Sequence, residues 1–387
     1  MSIGALSRYA FINAKLKSRI TSMLTARQID TLSRSKTLTE ALYSLRGTHY
    51  EPLIELYHQS GDIERLEAWL FARNIILHQE VNSHLKGGGG AVVAALTRKL
   101  EVENLKSVIR LWFSNRIKRQ NIDYRYGYLY QGKITSEIEW ARIVNSTHFS
   151  EIVEALEGTP YREPLSHFSN EQVEQEGLFD VEITLDKIWF NLLREEAKSL
   201  SKEDRSILEQ VLERDADLKN IINLFRFGWL YTLDGEHLKT LMLEGGVITK
   251  SEEFQEYLEQ PAQSRSPMKL IAFRFPELAK ELAASRESSS ENLTLMVESY
   301  LFKVRREEYR KMLRGNPFTI GTILAYFFLE ERQNSIVRTI INGVNYGWEA
   351  EAIEEYTLWM FLQFLWNWWQ LLFSMRLPIG LCKSCWL

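Results

Sequence analysis

Histidines are the first residues to test for chemistry, and the chain carries seven: His49, His58, His78, His84, His148, His167 and His237. No two stand four apart, as the ligands of a helical zinc site do, and no His-Glu-x-x-His run occurs. The only cysteines, Cys382 and Cys385, form a lone Cys-x-x-Cys. Without a second ligand pair or a thioredoxin-like context, that spacing implies neither metal nor redox work. Gly87-Gly88-Gly89-Gly90 lacks the Lys-Ser/Thr that would complete a phosphate cradle, and no Walker A run occurs elsewhere. We read the four glycines, like Gly315-Asn316-Pro317, as a flexible or tight turn ahead of a helix. Glu351, Glu354 and Glu355 read as a solvated helix face. The expectation is no catalytic residue, no cofactor and no metal.

What remains is a set of cations. Lys106, Lys219 and Arg338 occupy matching places in three similar runs: Leu105-Lys106-Ser107-Val108-Ile109, Leu218-Lys219-Asn220-Ile221-Ile222 and Val337-Arg338-Thr339-Ile340-Ile341. Apolar residues three and four apart mark a core-facing helical stripe, and the basic residue lies beside it. The trio is the candidate partner interface. Equivalent cations on three units would ring a central cavity and meet acidic groups of a partner.

The elements that position them are helical throughout. Apolar residues recur at three- and four-residue spacing over 3–24, 62–85, 91–117, 181–201, 203–230 and 291–313, and clear alternation is absent. Glycine (20) and proline (8) are scarce in 387 residues, which favours long helices. The formal net charge of −4 gives no case for nucleic acid. The opening residues lack the uninterrupted apolar stretch of a secretory signal, and a body without cysteine fits a reducing compartment.

Repeats organise the chain. Leu45-Arg46-Gly47-Thr48-His49-Tyr50-Glu51-Pro52-Leu53 returns with one extra residue as Leu156 to Leu165, preserving Gly158, Thr159, Tyr161, Pro164 and Leu165. Gly47 and Gly158 are expected to end helices, and the prolines after them to stop resumption. Threonine caps with a Gln or Glu nearby are expected at Thr25, Thr135 and Thr249. The division that follows is 1–134 for an N-terminal helix and first repeat, 135–248 for the second, and 249–357 for the third. Residues 358–387 form an atypical Trp-rich tail.

Residues 314–347, RGNPFTIGTILAYFFLEERQNSIVRTIINGVNYG, carry the decisive signature. The run Gly315 to Tyr326 resembles the C-terminal signature of the C subunits of A/V-type rotary ATPases, counterparts of the eukaryotic d subunit. LKSRITSMLT near the N-terminus and the LKSVIRLW helix also resemble family positions, and the likeness spans about residues 5–357. Ile336-Val337-Arg338 departs from the family's frequent Asn-Leu-Arg, a conservative change for packing. The resemblance implies three similar helical domains in a pseudo-threefold funnel. It implies a non-catalytic central-stalk or rotor component, peripheral on the cytoplasmic face of the membrane. The implied partners are the D and F subunits of the central shaft and the proteolipid rotor ring, in the service of proton or sodium transport. The alternative is a helical repeat scaffold of another assembly. An enzyme with a site assembled across helices has no titratable constellation behind it.

Five of the eleven tryptophans fall in the tail. Its apolar run 358–373 is shorter than the ~20 residues of a spanning helix. It reads as a segment at a membrane interface, as one docked on the body or a partner, or as an extension outside the family design.

Overall fold

The computed structural model describes residues 3–120, 123–230, 233–284 and 290–359. The tail beyond 359, with Cys382 and Cys385, lies outside them. The fold is all-α, with no strand among the described residues.

Seven long helices carry the architecture: α1 (Ile3–Thr21), α2 (Ile63–Ser83), α3 (Gly88–Arg116), α4 (Phe179–Ala197), α5 (Lys202–Asn223), α6 (Ser290–Arg314) and α7 (Gly321–Asn345). Apart from α1 they form three hairpins, α2–α3, α4–α5 and α6–α7. Each long helix packs on the next in order, and α7 returns to α2, so six helices close a ring. Shorter helices fill the chain between hairpins.

The apolar stripes explain where those short helices go. Val337, Ile340 and Ile341 of α7 are buried with Leu32, Leu42, Leu45 and Tyr50 from the first stretch of short helices. Leu105, Val108 and Ile109 of α3 are buried with Phe149, Ile152 and Leu156 from the second. Leu218, Ile221 and Ile222 of α5 are buried with Phe254, Ile271 and Leu278 from the third. Each stretch therefore covers the late helix of the hairpin before it in the ring, and the first covers the last. Each fully buried Ile or Leu contributes about 1.5–3 kcal/mol, so these seams hold the ring closed.

The repeated punctuation has one local structure. Gly47 and Gly158 sit at φ +75° and +76°, the left-handed region that favours glycine. The Thr48 hydroxyl donates to the Leu45 carbonyl at 2.6 Å and accepts the Tyr50 N–H at 3.1 Å. Thr159 does the same with Leu156 and Tyr161, at 2.7 and 3.3 Å. Both tyrosines are then fully buried. Tyr50 donates to Asn334 Oδ1 of α7, and Tyr161 to Glu101 Oε1 of α3, each at 2.8 Å.

Of the expected caps, Thr25 forms a capping box with Gln28. The other two are corrected. The Thr135 and Ser136 N–H groups are taken by the Glu101 carboxylate, at 2.7 and 2.5 Å, so the chain stays irregular until the helix at Trp140–Asn145. Ile248 N–H is held by Asp217 Oδ1 at 2.9 Å, and Thr249 falls in a 3-10 turn. Ser251 caps the following helix instead, accepting the Phe254 N–H at 3.2 Å.

The three hairpin turns meet at one end of the ring. A Cβ on Gly88 would lie 2.4 Å from the Ser199 carbonyl oxygen, so the α2–α3 turn can approach the α4–α5 turn only with glycine there. Asp204, at the start of α5, accepts Ser201 Oγ at 2.8 Å, Tyr9 Oη at 3.1 Å and the Ile320 N–H at 2.9 Å. Asn13 donates from α1 to the Pro317 and Thr319 carbonyls at 2.7 and 2.8 Å. The Gly-Asn-Pro-Phe-Thr-Ile-Gly signature is thus a turn clasped by α1 and α5.

Candidate functional site

The ring encloses a cavity of about 680 Å³. Its lining changes character along the helices. Toward the hairpin turns it is apolar, with Leu96, Leu193, Leu208, Leu324 and Phe327. His78 is buried there, stacked on Phe327 with ring centroids 3.7 Å apart. Burial pushes its imidazole down to about 3, so it is neutral at any ordinary pH and packs as an aromatic. Toward the other ends of the helices, Ile63, Glu64, Glu67, Asn342 and Tyr346 line it, and Tyr346 is 68% exposed.

Between lies a charged belt. Lys99 of α3 pairs with Glu331 of α7 at 2.5 Å and reaches Glu103 at 3.8 Å. Lys106 of α3 pairs with Asp186 of α4 at 2.5 Å, and Arg305 of α6 with Asp215 of α5 at 2.7 Å. The belt therefore ties neighbouring hairpins together as well as lining the cavity. Burial raises the Glu103 carboxyl to about 7, with Lys99 opposing the shift and Glu331 adding to it. Burial works against the Asp186 carboxylate too, but Lys106 and Lys219 outweigh it and hold its pKa below the usual range.

Lys106, Lys219 and Arg338 all line this one cavity, as their matching places in three helices require. They are not equivalent inside it. Lys106 is 4% exposed and already neutralised by Asp186. Lys219 sits 5.3 Å from the centroid of the Trp189 ring, and burial lowers its ammonium pKa. Arg338 is half-buried.

Sequence reasoning missed the buried acids that assemble the body. Glu101, Asp204 and Asp217 are at most 3% exposed, yet each lies in an otherwise ordinary amphipathic run. Asp217 takes Arg274 Nε at 2.5 Å besides the Ile248 N–H. The only signal available was an acid beside the apolar stripe, a place where most acids are merely solvated. Glu354 of the solvated run pairs with Arg34 at 2.8 Å.

The arrangement offers packing and charge. Among the described residues, no group of His, Cys, Asp and Glu is placed to hold a metal ion. No helix among them is long and apolar enough to cross a membrane.

Residues 12–356 match the family model described as ATP synthase (C/AC39) subunit. Similar curated proteins are named as the C subunits of A-type ATP synthases. That of Thermococcus gammatolerans is 25% identical over 354 residues, spanning 90% of this chain and 89% of its own. That of Pyrococcus horikoshii is 23% identical over 351 residues, with 90% and 89% covered. That of Methanosarcina mazei is 25% identical over 273 residues, with 68% and 69% covered. With nearly the whole helical body matched, the chain belongs to the ATP synthase (C/AC39) subunit family.

Proposed function

We propose that this chain is a non-catalytic central-stalk subunit of an A/V-type ATPase or ATP synthase. It couples the D–F shaft to the proteolipid ring at the cytoplasmic face of the membrane, and takes part in ion transport only through the complex. In this reading its three repeats, 1–134, 135–248 and 249–357, form a pseudo-threefold funnel, and the cavity is the socket for the foot of the shaft. The observation that supports it is the closed ring of three hairpins around a cavity to which each late helix brings a cation at the matching place, Lys106, Lys219 and Arg338. A torque coupler needs a stiff wall, and helices packed at crystal-like density and cross-tied by ion pairs supply one.

The basic trio acts unequally in the socket. Lys106 is matched by Asp186. Lys219, which packs on an aromatic ring and shares Asp186 with Lys106, and Arg338 are the cations assigned to acidic groups of the shaft. The test is native mass spectrometry of the full chain with the D–F pair, for the wild type and for Lys219→Glu/Arg338→Glu. The wild type should give a 1:1:1 complex. The reversed pair should weaken it about ten-fold or more, as opposed charges become like charges across the contact. Absence of a complex from well-folded wild type overturns the socket and favours a scaffold of another assembly. Unchanged affinity of the folded double variant removes the cations from the interface.

A further inference from the structure

A second concentration of positive charge lies on the side of α6 turned away from the cavity. Arg305 and Tyr309 of that helix line the cavity. Arg306, Arg310 and Arg314 are exposed and follow one another at four-residue intervals. At 1.5 Å rise per residue they stand in steps of about 6 Å along one helical face. Arg332 of α7 joins them across the groove between the two helices. Its guanidinium lies 3.9 Å from the centroid of the Phe302 ring, and its Nη1 is enclosed without a hydrogen-bond partner.

What is missing around these cations is acid. Among the described residues, Arg306, Arg314 and Arg332 make no ion pair or hydrogen bond, and Arg310 has only Glu307 at 3.7 Å. Burial pushes Arg332 down to about 10, and the two charged groups that add to the shift, Arg306 and Arg310, are both cations. Four guanidinium groups gathered this way repel one another, and an unpartnered enclosed nitrogen adds to the cost. The arrangement is unfavourable in the isolated chain and becomes favourable when carboxylates arrive.

We propose that this arginine groove docks an acidic helical segment of another protein chain. Carboxylates at four-residue spacing on such a helix advance by the same ~6 Å as the arginines, so successive pairs form in register. Arginine is suited to the role because its planar fork takes a carboxylate through two hydrogen bonds. The chain's own tail cannot be the occupant, since residues 358–387 contain no Asp or Glu. Anionic lipid fits less well: the groove runs along the helix wall, and a flat membrane beside one end of the ring would meet only one end of it.

The test uses the full chain and a labelled helical peptide with Glu at every fourth position, followed by fluorescence anisotropy at low and physiological salt. The same residues in scrambled order, with equal net charge, serve as the register control. Vesicles of phosphatidylglycerol and phosphatidylcholine serve as the lipid control. The in-register peptide should bind more tightly than the scrambled one. Arg306→Gln/Arg310→Gln/Arg332→Gln should lose about ten-fold in affinity, with circular dichroism unchanged. Arg332→Lys alone should lose part of that, because the charge survives and the fork does not. Equal binding of both peptides, equal binding by the triple variant, or tighter binding to the vesicles than to the peptide would overturn the proposal.

Discussion

The turn end and the middle of the long helices use the same residue types to opposite purposes. Where the hairpin turns meet, the Asp204 carboxylate is saturated: Ser201, Tyr9 and Ile320 all donate to it. Backbones there approach so closely that Gly88 has no room for a Cβ. Halfway along, the charged belt is paired without being saturated. Lys219 packs on an aromatic face and only shares Asp186 with Lys106, which makes the ion pair, and the Lys99 and Glu331 side chains stay about one-third accessible. A buried carboxylate with three donors fixes geometry, because losing any donor leaves a desolvated charge short of a partner. A half-satisfied charge facing a cavity leaves capacity for something else. Assembly and docking are therefore separated along one set of helices.

The largest expected effect breaks the saturated end. Asp204→Ala leaves the Tyr9 hydroxyl, the Ser201 hydroxyl and the Ile320 N–H without their acceptor, and removes the tie between α1 and the start of α5. A loss of about 3–6 kcal/mol is expected at one to two kcal/mol per stranded donor, and Asp204→Asn should lose less because its carbonyl still accepts. Lys219→Met in the belt is the counterpart. It removes a half-buried charge that only shares Asp186 with Lys106, and stability should change by no more than about 1 kcal/mol. Urea midpoints of the three variants measure the contrast. A Lys219→Met loss as large as that of Asp204→Ala would erase the distinction between the two regions.

A smaller effect is written in pH. Glu103 faces Lys99, Lys106, Asp186 and Glu331, and burial leaves its folded pKa at about 7, above the ordinary value of 4.5. Below pH 4.5 the group is protonated in both states and carries no penalty. Between 4.5 and 7 the unfolded chain gives up the proton first, so stability falls as pH rises. Above 7 the loss is complete and constant. The window amounts to roughly 3 kcal/mol. Glu103→Gln should flatten this slope in melting temperatures taken from about pH 4.5 to 8. A variant with the same slope as the wild type would assign the dependence to another group.

Much of this was legible in the sequence. Apolar spacing located six of the seven long helices, and the shared pattern of a basic residue beside an apolar stripe brought Lys106, Lys219 and Arg338 to one cavity. Two things were not legible, for physical reasons. A stripe such as Val337, Ile340 and Ile341 announces that it will be buried but not against what, and its partners Leu32 and Leu42 lie about three hundred residues away. A single acid such as Glu101 looks like its solvated neighbours until its donors are in place. Thr135 illustrates the consequence. Its side chain suited an N-cap, but the Glu101 carboxylate claimed its backbone N–H.

The finest test compares the two copies of the punctuation that share one backbone geometry. Tyr161 donates its hydrogen bond to a buried carboxylate, and Tyr50 donates to the amide oxygen of Asn334. A hydrogen bond to a charged group contributes about 1.5–3 kcal/mol and a neutral one about 0.5–1.5 kcal/mol. Tyr161→Phe should therefore cost more than Tyr50→Phe by roughly 1 kcal/mol, although the two rings are equally buried. Glu101 keeps Thr135 and Ser136 as donors in the first variant, which limits the loss. In the second, Asn334 loses a neutral donor, and its Nδ2 is without a partner in either case. Equal losses would mean that the repeat conserves energy as well as geometry. A larger loss at Tyr161 would mean that the copies kept their fold while one seam came to rest on a charge.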